Sequence, residues 1–550
     1  MGLEKSECDH NGRGKRRMLK ALVCDPISEA GIAKLREIPN VEVDVKLGLK
    51  PEELKAIIGE YSALAVRSET KVTADILAAA VKLQIIGRAG VGVDNIDVTA
   101  ATQRGIVVVN SPEGNTLAAA ELAVALLLAL ARKIPQADAS LRSGKWERKK
   151  FVGTEIYGKT VGVVGLGKIG RSVAIRMKSF ETTVVAYDPF ATPESARRIG
   201  VEIVSLDELY DRSDFITLHV PLNNDTRGMI GPAQFAKMKT GVRIVNCARG
   251  GIVDEEALAE AIRSGKVGGV AFDVFVEEPP KPDNPLLSMH ENVITPHLGA
   301  STEEAQVNVA IDIAEQISEV LQGRPAKSAV NLPAVSAEEM AKVTPYIVLA
   351  TKIGSLHTQL AKQHSGAGRP INAIEVVFSG DFDGIPTGSI TRAALQGVLT
   401  PVMDEPVNLV NAPILAEQRG IQVKETYTRT SPEHSCLLSI RAHLPGGDRT
   451  ICGAVYGSEI KIVHIDGYKV DIDPFGHMII AQHTDQPGMI GQTGTLLGIN
   501  KVNIAGMHVG REAVGGRATM VLLIDEPISD ELMGMIRAIS GMETAMFITL

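Results

Sequence analysis

From Met18 onward, short apolar runs alternate with longer stretches whose apolar residues recur at helical spacing. "KALVCD", "VEVDV" and "ALAVRS" read as strands, while "ISEAGIAKLREI" and "PEELKAIIGEY" between them read as helices. Strands that take turns with helices predict a parallel sheet. A second series of the same kind opens at Thr160 and continues through "VVAYDP", "DFITLHVPL", "RIVNCARG", "GVAFDVF" and "NVITPH". The pattern therefore predicts two doubly wound, Rossmann-like α/β lobes. Two long helices, "EGNTLAAAELAVALLLALARK" and "STEEAQVNVAIDIAEQISEVLQG", are placed to cross between them and leave a cleft. Beyond Gly323, "RPAKSAVNLPAVS" is rich in proline and small residues and reads as a linker. Residues 336 to 473 mix helix and strand patterns. From His477 the order is β-α-β-β-α-β, the ferredoxin-like arrangement.

Bulk properties narrow the class. A chain of 550 residues exceeds what one core organises, so several domains are expected. With 45% hydrophobic, 22% charged and 4% aromatic residues it suits α/β layers rather than a disordered chain. The net charge of −8 gives no general attraction to phosphate backbones, and the basic run "RGKRR" reads as a solvated part of the tail 1–17, expected to be disordered. Neither a nucleic-acid nor a membrane partner is expected. The five cysteines are scattered without CxxC spacing, so neither a disulfide framework nor a metal site is indicated, and a cytoplasmic location fits. The longest apolar helix segment, "LAVALLLALA", is ten residues, too short to span a bilayer.

Chemistry enters at "VGVVGLGKIGRSVAIRM", where an apolar run breaks on Gly165, Gly167 and Gly170 and resumes with helical spacing. A strand before the first glycine and a helix after the second give GxGxxG its physical sense. The first permits a tight turn, the second lets backbone approach a pyrophosphate, and the third lets helix and strand pack closely, with the helix N-terminus facing the phosphates. Asp188, 23 residues beyond Gly165, follows the next strand and is placed to bind ribose hydroxyls. Its charge would repel a 2'-phosphate, which favours NAD over NADP. Three later strand ends carry "NCARGGIVDE" with Arg249, "FDVFVEEP" with Asp273, Glu277 and Glu278, and "ITPHLGAST" with His297.

These stretches, together with "GRAGVGVDNID" and "KWERKKFVGTEIYGKTVGVVGLGKIG", resemble the D-2-hydroxyacid dehydrogenase family, and within it the long branch acting on D-3-phosphoglycerate. The resemblance implies catalytic roles for Arg249, Glu278 and His297, with DVFxxEP selecting Glu278 over Glu277. It also implies that Asp273 lies near the nicotinamide carboxamide, and that Lys168, Ile169, His219, Pro221 and Thr226, and further on Cys247, Ala248 and Gly299, contribute to the cofactor site. The residue types suit alcohol oxidation. An imidazole with an unperturbed pKa of about 6.5 can take the hydroxyl proton, a carboxylate can orient it, and a guanidinium offers a planar fork to a carboxylate. Cys247 beside Arg249 could be mistaken for a nucleophile, but hydride transfer needs none.

For a phosphorylated hydroxy acid, Arg67, Ser68 and Arg88 are the further candidates, with the backbone of Val91 and Gly92 at the carboxylate. The resemblance implies a substrate-binding lobe of residues 18–114 and 298–330, an NAD-binding lobe of 115–297, an intervening domain of 331–475 and a regulatory ACT domain of 476–550. Serine would be its effector through Asp485 and Asn503, although some relatives use Asn where this chain has Asp485. A homotetramer or homodimer is expected, with "KWERKK" facing a neighbour's cleft. Two other readings stay open: oxidation of another 2-hydroxy acid such as 2-hydroxyglutarate or glycerate, or an NAD-sensing regulatory protein.

Overall fold

The computed structural model describes residues 18–550 apart from 334, 336, 364–370, 431–434 and 446; the tail 1–17, its basic run and Cys8 lie outside the described residues. The first sheet is built from β1 (Leu19–Val23), β2 (Val41–Val45), β3 (Ala63–Val66), β4 (Ile85–Arg88) and β5 (Val107–Asn110), all parallel in the order β2-β1-β3-β4-β5. All four residues of β3 are buried. A strand covered by helices on both faces must be apolar throughout, which is why "ALAV" does not alternate. On one face Ala21, Val23, Ile85 and Val109 pack with Val309, Ile313 and Ile317 of the helix Glu303–Leu321, so that long helix returns to the first sheet. Glycine makes the approach possible: a Cβ on Gly87 would lie 2.5 Å from Ile313, and one on Gly31 equally close to Ala310.

The second sheet contains β6 (Thr160–Val164), β7 (Thr183–Tyr187), β8 (Glu202–Ile203), β9 (Phe215–Leu218), β10 (Val242–Asn246), β11 (Val267–Phe272) and β12 (Val293–Ile294). Its order is β12-β11-β10-β9-β6-β7-β8, again all parallel. The chain leaves β6 in one direction through β7 and β8, then restarts on the other side at β9. Ligands of open parallel sheets bind at the C-terminal strand ends beside such a switch. The helix Thr116–Arg132 buries Ala123, Leu127 and Leu130 against this sheet, while the following helix Ile134–Arg142 buries none of its residues.

A third sheet combines β13 (Ala373–Gly380), β14 (Gln422–Thr428), β15 (Cys436–Leu444), β16 (Gly447–Tyr456), β17 (Glu459–Ile465) and β18 (Tyr468–Ile472) in the order β14-β13-β15-β16-β17-β18. The helices Ala337–Gln363 and Thr387–Leu399 cover one face, crossing where Gly354 and Gly397 leave no room for side chains. The last sheet is antiparallel, ordered β20-β21-β19-β22 from β19 (His477–Thr484), β20 (Ile504–Arg511), β21 (Arg517–Ile524) and β22 (Met542–Thr549). Ile479 and Ala481 of β19 face its own helices, Met489–Ile499 and Asp530–Arg537. Met478 and Ile480 join Val521, Met546 and Ile548 in the core of the third sheet. The change of pattern at Pro474 to His477 is therefore no gap in packing.

The stretch from Gly323, expected as a linker, is tied down along much of its length. Val330 N donates to Val108 O at 2.7 Å, and the Asn331 side chain pairs with Val108 N, Ile106 O and the Thr102 hydroxyl. Small residues and proline there follow the edge of β5. No described helix is long and apolar enough to cross a membrane.

Candidate functional site

β6 delivers the glycine loop to the switch point, where each glycine meets a different constraint. Gly165 has φ +91°, and a Cβ there would lie 2.5 Å from His219 O; at Gly170 it would lie 1.9 Å from Gly165 O. Gly167, which caps the helix Lys168–Ser179, has nothing within 4 Å of that position. Turn, open approach and close packing thus fall in the order a dinucleotide requires, with the helix N-terminus supplying backbone donors for phosphate. The Asp188 carboxylate accepts from Leu166 N at 2.7 Å and Phe190 N at 2.8 Å, fixing the end of β7 beside the loop. Lys168 pairs with Glu113 at 2.6 Å. These residues fit NAD.

His219 follows β9, with Nε2 2.9 Å from the Thr217 hydroxyl, and burial pushes its pKa down to about 4, leaving it neutral. Thr226 has its hydroxyl committed to the loop: it donates to Pro221 O at 2.6 Å and accepts from Asn223 N at 2.9 Å. Burial, then Asp273, pushes the Cys247 thiol well above its ordinary value, which suits an inert wall residue.

Three strand ends converge on the opposite wall. After β10, Asn246 Oδ1 accepts from Ala248 N at 3.1 Å and its Nδ2 donates to Arg249 O at 2.9 Å, folding the turn that presents Arg249. A Cβ on Gly250 would sit 1.8 Å from Phe275 O, so this turn lies directly on the loop that carries Glu278. After β11 comes Asp273, which is 1% exposed. Its oxygens accept from Leu298 N at 2.7 Å, Gly299 N at 2.9 Å and the Thr295 hydroxyl at 2.6 Å. Burial raises its pKa against the pull of those donors. Asp273 thereby anchors the loop bearing His297, a residue held at φ +56°. Non-glycine residues in that region store strain and cluster at working sites.

His297 Nδ1 is 2.7 Å from Glu278 Oε2, and Glu278 Oε1 accepts from Phe275 N at 3.1 Å. Burial alone would push the Glu278 pKa up; the hydrogen bond and charge of His297, with Phe275 N and Arg249, outweigh it and hold the carboxyl below its usual range. With Nδ1 turned to a carboxylate, Nε2 is the ring atom left for a substrate.

The first lobe contributes the facing wall. Asp25, which sequence reasoning missed, is 1% exposed and accepts from Arg67 N at 2.6 Å and from the Thr70 amide and hydroxyl. Asn95 Nδ2 donates to Arg67 O and Thr70 O at 3.0 and 2.7 Å. Together they shape the turn that holds Arg67 and Ser68. Arg88 is largely buried and its Nε has no hydrogen-bond partner among the described residues. Burial, then Arg249, lowers its pKa to about 10, so it stays charged at neutral pH. Arg67, Ser68, Arg88, Val91 and Gly92 share one cleft of about 850 Å³ with Arg249, Glu278 and His297. Gly167, Lys168, Ile169, His219, Pro221 and Gly299 line it as well, and so do Cys247, Ala248 and Asp273. Gly165, Gly170, Asp188 and Thr226 are not among its lining residues.

In the last sheet, Asp485 pairs with Arg511 at 3.0 Å, which holds its carboxyl below the usual range, and Asn503 Nδ2 donates to Asp525 Oδ2 at 2.7 Å. The two candidates thus have separate partners. His483, near the end of β19 and close to Asp485, is 2% exposed, and its Nε2 has no hydrogen-bond partner among the described residues.

Two family models match: "D-isomer specific 2-hydroxyacid dehydrogenase, NAD binding domain" over residues 124–299 and "D-3-phosphoglycerate dehydrogenase intervening domain" over 342–466. The D-3-phosphoglycerate dehydrogenase of Archaeoglobus fulgidus is 48% identical over 97% of this chain and 100% of that one; that of Bacillus subtilis is 42% identical over 94% and 96%. Among solved structures, a glyoxylate reductase from Paecilomyes thermophila aligns with 57% of this chain and 98% of its own at 30% identity and a TM-score of 0.52. An Aquifex aeolicus D-lactate dehydrogenase complexed with NAD and lactic acid aligns with 55% of this chain and 96% of its own at 25% identity and a TM-score of 0.50.

Proposed function

The chain belongs to the D-3-phosphoglycerate dehydrogenase family, and on that premise we propose how its own residues divide the work. The reaction is NAD-dependent oxidation of D-3-phosphoglycerate to 3-phosphohydroxypyruvate, the entry to serine biosynthesis. Bound NAD supplies the acceptor for the hydride leaving the carbinol carbon. His297 Nε2 takes the hydroxyl proton as general base and returns it in the reverse direction. Glu278 orients the imidazole through Nδ1 and balances the positive charge it acquires. Arg249 presents its fork to the substrate carboxylate and to the oxygen that becomes the carbonyl. The backbone at Val91 and Gly92 faces the same carboxylate, while Arg67 and Arg88, with the Ser68 hydroxyl, hold the remaining negative charge of a phosphorylated acid.

The observation that carries this reading is the 2.7 Å His297–Glu278 pair in the same cleft as Arg249 and the open Gly167. Replacing His297 by Ala is expected to abolish NADH formation, by about a hundredfold or more. Unchanged oxidation would remove His297 from the mechanism.

Regulation and assembly extend the proposal. We assign the last four-stranded unit as an ACT domain with serine as effector, on its strand order and the orphaned His483 nitrogen beside Asp485. A homodimer or homotetramer is supported by exposed Ile134, Leu141, Trp146, Val152 and Tyr157 around a helix with no buried residues. Free cysteines and the enzyme's place in amino-acid metabolism support a cytoplasmic location.

A further inference from the structure

We infer that Asp94 is a positioning residue for Arg249, which makes alignment of the guanidinium depend on closure of the two lobes. The inference rests on the role given to Arg249 above. Asp94 lies in the loop after β4 of the first lobe, whereas Arg249 follows β10 of the second. Arg249 Nε donates to Asp94 Oδ2 at 3.1 Å across the cleft, and its Nη1 donates to Ala248 O at 2.7 Å. A Cβ on Gly92 would lie 2.0 Å from Arg249 Nη2, so the guanidinium is laid against bare backbone of the opposite lobe. That loop is itself fixed, because Asn110 Nδ2 donates to Val91 O at 2.5 Å.

Of the five N–H groups of an arginine, the single one on Nε is spent on Asp94 and one on Nη1 is spent on Ala248 O. The other three belong to the Nη1 and Nη2 end, which remains free for a carboxylate and a neighbouring oxygen. Asp94 therefore braces the side of the guanidinium without covering its working end. The Asp94 side chain is 70% exposed, so the pair contributes little to folding. Its consequence is orientation: separating the lobes breaks the Nε contact and frees the arginine to rotate.

Steady-state kinetics of Asp94→Ala and Asp94→Glu, each also in an Arg249→Lys background, test this. Asp94→Ala is expected to lower kcat for D-3-phosphoglycerate about tenfold through misalignment, with the KM for NAD and the melting temperature kept. Asp94→Glu, which keeps the acceptor, is expected to recover part of that loss. In the Arg249→Lys background, which has no Nε donor of this geometry, Asp94→Ala is expected to cost less than about twofold more. Arg249→Lys crippled with Asp94→Ala at full activity overturns the inference alone, and so does an equal loss in both backgrounds. A lower substrate KM with kcat retained in Asp94→Ala also overturns it, since Asp94 would then be a competitor for the arginine. Full activity in Arg249→Lys overturns the reading of Arg249 and the inference with it.

Discussion

Gly165, Gly167 and Gly170 show one residue type meeting three demands, and substitutions should separate them. A methyl at Gly167 enters open space, so Gly167→Ala is expected to keep the melting temperature but raise the KM for NAD about tenfold by obstructing the phosphates. At Gly170 the methyl meets Gly165 O, so Gly170→Ala should destabilise the fold by about 1–3 kcal/mol, read by denaturant titration. At the other wall, Glu278→Gln removes the charge that the folded protein keeps ionised. Its kcat for oxidation is expected to fall by about a hundredfold. Arg249, Glu278 and His297 were legible as neighbours because each stands in a motif at a predicted strand end. Asp25 and Asp94 were not, since a lone carboxylate has no spacing signal and its partner is known only once the lobes are folded. Asn246 could have been found: an Asn directly after a buried strand and before the arginine can fold the turn through its own amide.

Among the elements, the parallel strands were readable because two covered faces require unbroken apolar runs such as "ALAV" and "TVGVV". The docking of the stretch after Gly323 is not legible from composition, which reports backbone permissiveness, whereas the partners of Asn331 lie more than two hundred residues earlier. Within the helix Ala337–Gln363, His357 is 1% exposed, and its Nε2 lies 2.9 Å from Ile440 O. Burial pushes its pKa down to about 3. The unfolded chain takes up a proton near pH 6.5 that the folded helix refuses, so this position makes stability fall as pH drops from about 6.5 toward 3. The loss approaches about 1.4 kcal/mol per pH unit for one such group. His357→Gln, which keeps a donor for Ile440 O, should flatten that dependence in urea titrations between pH 7 and 5. An unaltered slope would show that other groups govern acid sensitivity.

Across the whole molecule, the last sheet is joined to the third by apolar packing on one face and to its own helices on the other. That arrangement was present in "HMIIAQH", where both alternating sets are apolar, although the proline and glycine before it suggested separation. Farther along, Asn408 Nδ2 donates to Gly105 O at 2.7 Å and binds the intervening sheet unit to the first lobe. Because the last sheet and the third share one apolar core, Ile548→Asp is expected to destabilise both C-terminal units together, as one shifted unfolding transition rather than two. The cleft lined by Arg67, Arg88, Arg249, Glu278 and His297 is tested most directly by the initial rate of NADH formation with D-3-phosphoglycerate beside unphosphorylated D-glycerate. A preference for the phosphorylated acid of at least about a hundredfold in kcat/KM is expected, since the analogue leaves the buried, unpartnered Arg88 Nε and the neighbouring Arg67 without an anion. Equal use of the two acids would contradict the assignment of Arg67 and Arg88, and oxidation of neither would contradict the enzyme itself.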